Sequence, residues 1–166
     1  DLRLSLFGFD PQGDYNRLTR EEVGRRINIA RPDDALIVEK SLGRVTHTGG
    51  KRFEKDSWQH RTFVEWLSAG APSDPPKTPT VVDLEIYPLQ AVLEGGGAKQ
   101  QLTVRAKYSD GTDRDVTEQT MFISNNSLAA VATPEGLVTS GKPGEAFIMA
   151  RFDQITTGTQ ILSIPK

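Results

Sequence analysis

The residues able to do chemistry are few and fall into small groups. Two histidines, His47 and His60, stand thirteen positions apart. A neutral imidazole nitrogen is a good metal ligand, but no Glu lies between the two at metalloprotease spacing, so zinc is not indicated. His47 belongs to a loop containing Gly49-Gly50, where a hydrogen bond to nearby backbone is its ordinary role. His60 is expected on the surface of a helix. Asp110, Asp113 and Asp115 flank Gly111 and could present oxygens to calcium. An EF-hand loop is longer and ends in Glu, so a polar hairpin tip is the simpler reading. Arg20, Arg25, Arg26 and Arg31 could grip an anion, but Glu21, Glu22, Asp33 and Asp34 are at hand to pair with them on a solvated face. Trp58 and Trp66 could stack on a sugar. Trp66 fits the buried face of a helix instead, and Trp58 at that helix's start is expected to be exposed. Gly95-Gly-Gly97 is followed by no Lys-Ser/Thr pair and reads as a turn, not a phosphate loop. No serine sits in a Gly-x-Ser-x-Gly elbow. There is no cysteine, which removes disulfides, thiolate metal sites and a cysteine nucleophile. These groups compose no catalytic set, and the chain is expected not to be an enzyme.

The elements that must carry them divide the chain in two. Its 166 residues suit one large domain or two small ones. A hydrophobic share of 36% against 25% charged is enough to build a core. The net charge of −2 lacks the basic excess of a nucleic-acid binder. No apolar run is long enough for membrane insertion as a helix. The chain opens at Asp1 directly in an ordered-looking segment, Leu2-Arg-Leu-Ser-Leu-Phe7, and is read as a piece of a longer protein.

Residues 1–70 read as a small, mainly helical region. Leu2, Leu4 and Leu6 alternate with polar residues, as a short strand or extended segment would. Thr19-Arg-Glu-Glu22 has the form of a capping box and predicts a short helix after it. Residues 32–40 predict a second helix, with proline at its start, acids in the first turn and Gly43 as a stop. Asp56 or Ser57 should cap a third, running to about Ser68 and ended by Gly70. Phe63, Trp66 and Leu67 share its apolar face. A region this short has little core of its own. Phe7, Phe9, Phe53, Phe63 or Trp66 is therefore expected to dock on neighbouring structure. Residues 71–79 hold four prolines and predict a semi-rigid linker.

Residues 80–166 predict an all-β sandwich. Leu102, Val104 and Ala106 alternate with Thr103, Arg105 and Lys107, the period of a half-buried strand. Ser109-Asp110-Gly111 should reverse the chain as a tight hairpin, the Asp-Gly pair supplying positive backbone angles. Strands are expected at 81–87, at 89–93 beyond an edge or sheet-switching Pro88, and at 100–108, 112–116, 121–124, 129–132, 138–140, 144–152 and 156–164. Short strands at this spacing argue a sandwich with Greek-key links.

Seven segments within this region, in order, carry a resemblance: Leu84-Glu-Ile-Tyr-Pro88, Gln101-Leu-Thr-Val104, Tyr108-Ser-Asp-Gly-Thr112, Asp115-Val-Thr117, Ser127-Leu-Ala-Ala-Val131, Gly136-Leu-Val-Thr139 and Gly144-Glu-Ala146. They resemble the group-two bacterial Ig-like domains. That resemblance implies an immunoglobulin-like, non-catalytic module of an exported protein of the periplasm, cell envelope or cell surface, which spaces domains or holds other molecules. Leu2-Arg-Leu-Ser-Leu-Phe-Gly-Phe-Asp-Pro11, Gly24-Arg-Arg-Ile27, His47-Thr-Gly-Gly-Lys-Arg-Phe53 and Trp66-Leu-Ser-Ala-Gly-Ala-Pro72 are similar to the latter part of a c-type-cytochrome-like domain of planctomycete proteins. That similarity implies haem in a longer parent, an accessory part in electron transfer, and His47 as a candidate axial ligand. The Cys-x-x-Cys-His attachment motif is absent, so no cofactor is expected in this chain itself. The implied partners are other domains of the same parent, with a polysaccharide or cell-surface protein as candidate ligands. Carbohydrate binding through the sandwich loops is the remaining alternative.

Overall fold

The computed structural model describes residues 2–166. The chain forms two compact units, one ending at Pro76 and the other spanning Lys77–Lys166. The first is small and mainly helical, and the second is an all-β immunoglobulin-like sandwich.

In the helical unit, α1 (Pro11–Thr19) begins where proline occupies the first turn and Asp10 accepts from the Gly13 N–H. The segment before it makes no strand; Leu4 and Leu6 are exposed, and a 3-10 turn covers Leu6–Gly8. Ser5 ties this segment to α1, its N–H donating to Asp14 Oδ1 at 2.6 Å and its hydroxyl to Asp14 Oδ2. The capping box at Thr19 is not used. The helix ends at Thr19, whose hydroxyl donates back to the Tyr15 carbonyl. Residues 20–25 are turns, with Glu22 at a φ of 49°. Glu21 and Glu22 reach Arg26 rather than the Thr19 backbone. The helix expected over 32–40 is two pieces, a 3-10 turn at Pro32–Asp34 and α2 (Leu36–Ser41). Ala35 between them is extended and fully buried. The Arg26 carbonyl accepts from the freed Ile37 N–H. α3 (Trp58–Ser68) starts at Ser57, whose hydroxyl accepts from the His60 N–H. Ala35, Val38, Leu42, Leu67 and Ala71 form the core, with Ile27, Ile37, Phe53, Phe63 and Trp66 packed around it. Phe7 and Phe9 are exposed.

In the sandwich, β1 (Val81–Tyr87) pairs antiparallel with β4 (Thr103–Tyr108), and β4 with β5 (Asp113–Asp115). Pro88 ends β1, and the chain then joins the opposite sheet as β2 (Gln90–Glu94). The strand expected over 100–108 is broken at Leu102, which is fully buried and gives its N–H to the Gly136 carbonyl. The piece before the break, β3 (Lys99–Gln101), pairs with β8 (Leu137–Ser140), and β8 with β7 (Ala130–Ala132). The four-stranded sheet runs β2-β10-β9-β6, with β6 at Met121–Ser124, β9 at Gly144–Phe152 and β10 at Ile155–Ile164. One cluster draws on all three ladders and includes Ile86, Leu102, Val104, Val138, Ile148 and Ile161. Three buried hydroxyls bond carbonyls across elements: Thr159 to Pro88, Ser140 to Gly95 and Ser163 to Ala129, at 2.6–2.7 Å. Each is a polar group that would be costly to bury without a partner.

Candidate functional site

The β4–β5 hairpin brings Asp110, Asp113 and Asp115 near one another along the chain, but each carboxylate is committed separately. The Tyr108 N–H donates to the Thr112 carbonyl and the Gly111 N–H to the Tyr108 carbonyl. This is a three-residue loop with only Gly111 at positive φ, 84°, not the two-residue turn that an Asp-Gly pair first suggests. Asp110 Oδ1 accepts from the Thr112 hydroxyl (2.6 Å) and N–H (3.0 Å). The hydroxyl bond above all holds the Asp110 pKa below the usual aspartate value. Asp113 Oδ2 accepts from Arg105 Nε at 3.0 Å, with Nη2 in ion-pair contact at the same distance. Asp115 Oδ1 accepts from the Thr117 hydroxyl (2.7 Å) and N–H (2.9 Å), and its pKa is lowered by the same hydroxyl first. Among the described residues, no three His, Asp or Glu side chains gather as metal ligands would. This arrangement locks a turn. On the adjoining strands Lys107 and the Tyr87 hydroxyl both donate to Glu85. Lys107 pulls the Glu85 pKa down, while Glu85 raises those of Lys107 and Tyr87.

Beside this hairpin lies an open groove of about 490 Å³, walled by Gln101, Thr103, Asp115, Thr117, Glu118 and Glu135. Sequence reasoning missed it. Gln101 and Glu135 meet only because β3 pairs with β8, where the Gln101 amide donates to the Glu135 carbonyl at 2.8 Å. No spacing in the sequence announces that meeting. The groove is amide- and carboxylate-lined, and its Thr117 hydroxyl is spent on Asp115 and the Val104 N–H.

Of the two histidines, His47 lies in its loop beside backbone and His60 departs from expectation. His47 is half-buried in its loop, with Nδ1 3.4 Å from the Val45 carbonyl and the ring lying over Gly49. His60, expected on a helix surface, is 4% exposed. Its Nδ1 accepts the Asp56 N–H at 3.1 Å, so Nε2 carries the proton and donates to Asp33 Oδ1 at 3.0 Å. The ring thereby fastens the 3-10 turn at Pro32–Asp34 to the start of α3. Its partners lie far apart in sequence, and so the helical period alone could not reveal its burial.

Three of the four arginines pair with the acids expected of them: Arg25 with Glu22, Arg26 with Glu21 and Glu22, and Arg31 with Asp34. Arg26 is buried rather than solvated, and it also donates to the Arg17 carbonyl. Trp66 donates its indole N–H to the Pro72 carbonyl at 3.0 Å, and Tyr15 its hydroxyl to the Ala71 carbonyl at 3.0 Å. Both aromatics thus hold the start of the proline-rich segment. Trp58 is half-buried rather than exposed. Among the described residues no helix is long and apolar enough to cross a membrane. No cysteine exists to tether a haem covalently to this chain.

No family model matches the chain, and no curated protein matches it. Among solved structures, the surface layer protein SbsC (domains 1–6) is similar over 54% of this chain and 14% of that one, at 13% identity and a TM-score of 0.47. SbsC domains 4 and 5 are similar over 52% of this chain and 54% of theirs, at 12% identity and 0.46. A mutant of intimin from EHEC O157:H7 is similar over 50% of this chain and 47% of its own, at 19% identity and 0.38. In each case the chain spans less than two thirds of the protein it resembles.

Proposed function

We propose that the sandwich is a non-catalytic, tension-resisting spacer in a larger exported protein of the cell envelope, of the group-two bacterial Ig-like kind. The observation that carries this reading is the parallel pairing of β2 with β10, residues 90–94 against 160–164. β2 follows directly from the strand by which the chain comes in, and β10 is the strand by which it leaves. Tension along the chain draws β2 towards its N-terminal end and β10 towards its C-terminal end. The two parallel strands are therefore sheared lengthwise, and their ladder bonds share the load instead of opening one by one. The resemblance of residues 84–146 to an exported family supports the location.

Single-molecule extension through residues 77 and 166 tests this. The sandwich should rupture in one step and release about 3.5 Å of contour per residue. Successive N–H groups of β2 point to opposite edges and only one edge is paired, so of prolines placed at Ala91 and at Val92 in turn only one removes a ladder N–H, and that one should lower the rupture force clearly. Wild-type rupture force in both variants would sink the reading.

The helical unit carries a second reading, an accessory role in haem electron transfer within a longer parent. Nδ1 of His47 faces the Val45 carbonyl and Nε2 lies against Gly49, so iron could reach Nε2 only if this loop turned the ring outward. In a longer, haem-matured form of the parent, His47→Ala should move the Soret band. An unchanged spectrum would remove His47 from that role.

A further inference from the structure

The outward face of the four-stranded sheet holds an apolar patch where a solvated sheet face is normally polar. The ladder registers put Met149 beside Ile123 and Gly158, Leu162 beside Val92 and Glu145, and Phe147 beside Gln160. Val92, Met121, Ile123, Phe147, Met149 and Leu162 keep between 37% and 62% of their surface exposed. Gly158 makes the patch flat. A Cβ there would lie 2.3 Å from Phe147 Cε1, so the ring rests on the glycine itself.

We infer that this face is the contact between two copies of the chain. Side chains of this size at these exposures present on the order of 500 Å² of apolar surface, at the top of what monomers usually leave open. Two such faces together bury on the order of 1,000 Å² of apolar area before the polar rim is counted. That is the size a specific interface needs, with the apolar centre typical of homodimers. The face is also self-complementary in charge. Along the outward row of β9, Glu145, whose Oε1 accepts from the Gln160 amide at 2.9 Å, and Arg151 stand at opposite ends with Phe147 and Met149 between them. A two-fold axis that reverses the strand sets each Glu145 over the partner's Arg151 and each Phe147 over the partner's Met149, as an isologous interface requires.

The 166-residue chain should sediment as a dimer in the range of tens to hundreds of micromolar. Ile123→Lys with Met149→Lys should raise the dissociation constant at least a hundredfold. Val82→Lys, at an exposed position on β1 in the other ladder, should leave it unchanged. Glu145→Arg alone and Arg151→Glu alone should each weaken the dimer, and the double exchange should restore it. Near-UV circular dichroism verifies that each variant is folded. A monomer persisting to about 1 mM would overturn the inference. So would a dimer indifferent to the lysine pair, or a folded double exchange that stays as weak as the single changes.

Discussion

His60→Ala is expected to unfold most of the helical unit while leaving the sandwich intact. The side chain is 4% exposed and makes two hydrogen bonds, to the Asp56 N–H and to Asp33. Losing them costs about 1 kcal/mol each. The void left by the ring, next to Phe53 at a centroid distance of 6.2 Å, adds about 1–2 kcal/mol. The total is roughly 3 kcal/mol, against the 3–5 kcal/mol that so small a core commonly supplies. Both tryptophans, Trp58 and Trp66, lie in this unit, so tryptophan fluorescence in a urea titration follows it alone. Far-UV circular dichroism reports both units, so a transition there that stays at the wild-type midpoint marks the intact sandwich. With a slope near 1 kcal/mol per molar urea, the fluorescence midpoint should fall by about 3 M, or the unit should be unfolded in buffer. His60→Asn places an acceptor near Nδ1, and His60→Gln places a donor near Nε2. Each should recover about half the loss by restoring one bond. A midpoint shift below about 0.5 M for alanine, or no recovery with either amide, would refute the assigned role of the ring.

Three further outcomes follow from the same contacts. Asp14 has its pKa lowered chiefly by the Ser5 hydroxyl, then by the Ser5 N–H. Its stabilisation is present above the ordinary aspartate value of about 3.9 and is lost as pH falls below it towards the lowered folded value. The fluorescence midpoint should therefore decline between pH 5 and pH 2.5 less steeply in Asp14→Asn than in the wild type. Gly111→Val should destabilise the sandwich by about 1–2 kcal/mol, read by thermal melting, because a β-branched residue must adopt positive φ in a three-residue loop. Thr159→Val keeps the shape of a fully buried side chain but removes the donor to the Pro88 carbonyl. It should cost about 1–2 kcal/mol in chemical denaturation.

What the sequence determined by itself was local. Alternation fixed the inward face of β4, since a strand's side chains change sides at every residue, and Leu102, Val104 and Ala106 are all fully buried. Proline marked the place where the chain changes sheets. A serine before an apolar helical period located α3, because capping chemistry acts within one turn. The helix at Pro11–Thr19 was legible in Asp10-Pro11, but a competing box at Thr19 drew the reading past it. The two signals look alike until the acids find another partner, and Arg26 supplied one. Only the tertiary structure decided the burial of His60, the break at Leu102 and the groove between Gln101 and Glu135. It alone decided the parallel contact of β2 with β10 and the apolar outer face of their sheet. Each of these depends on residues brought together from distant parts of the chain by pairing register, and register is set by which faces can be buried at once, a property of the assembled sheets rather than of any one stretch.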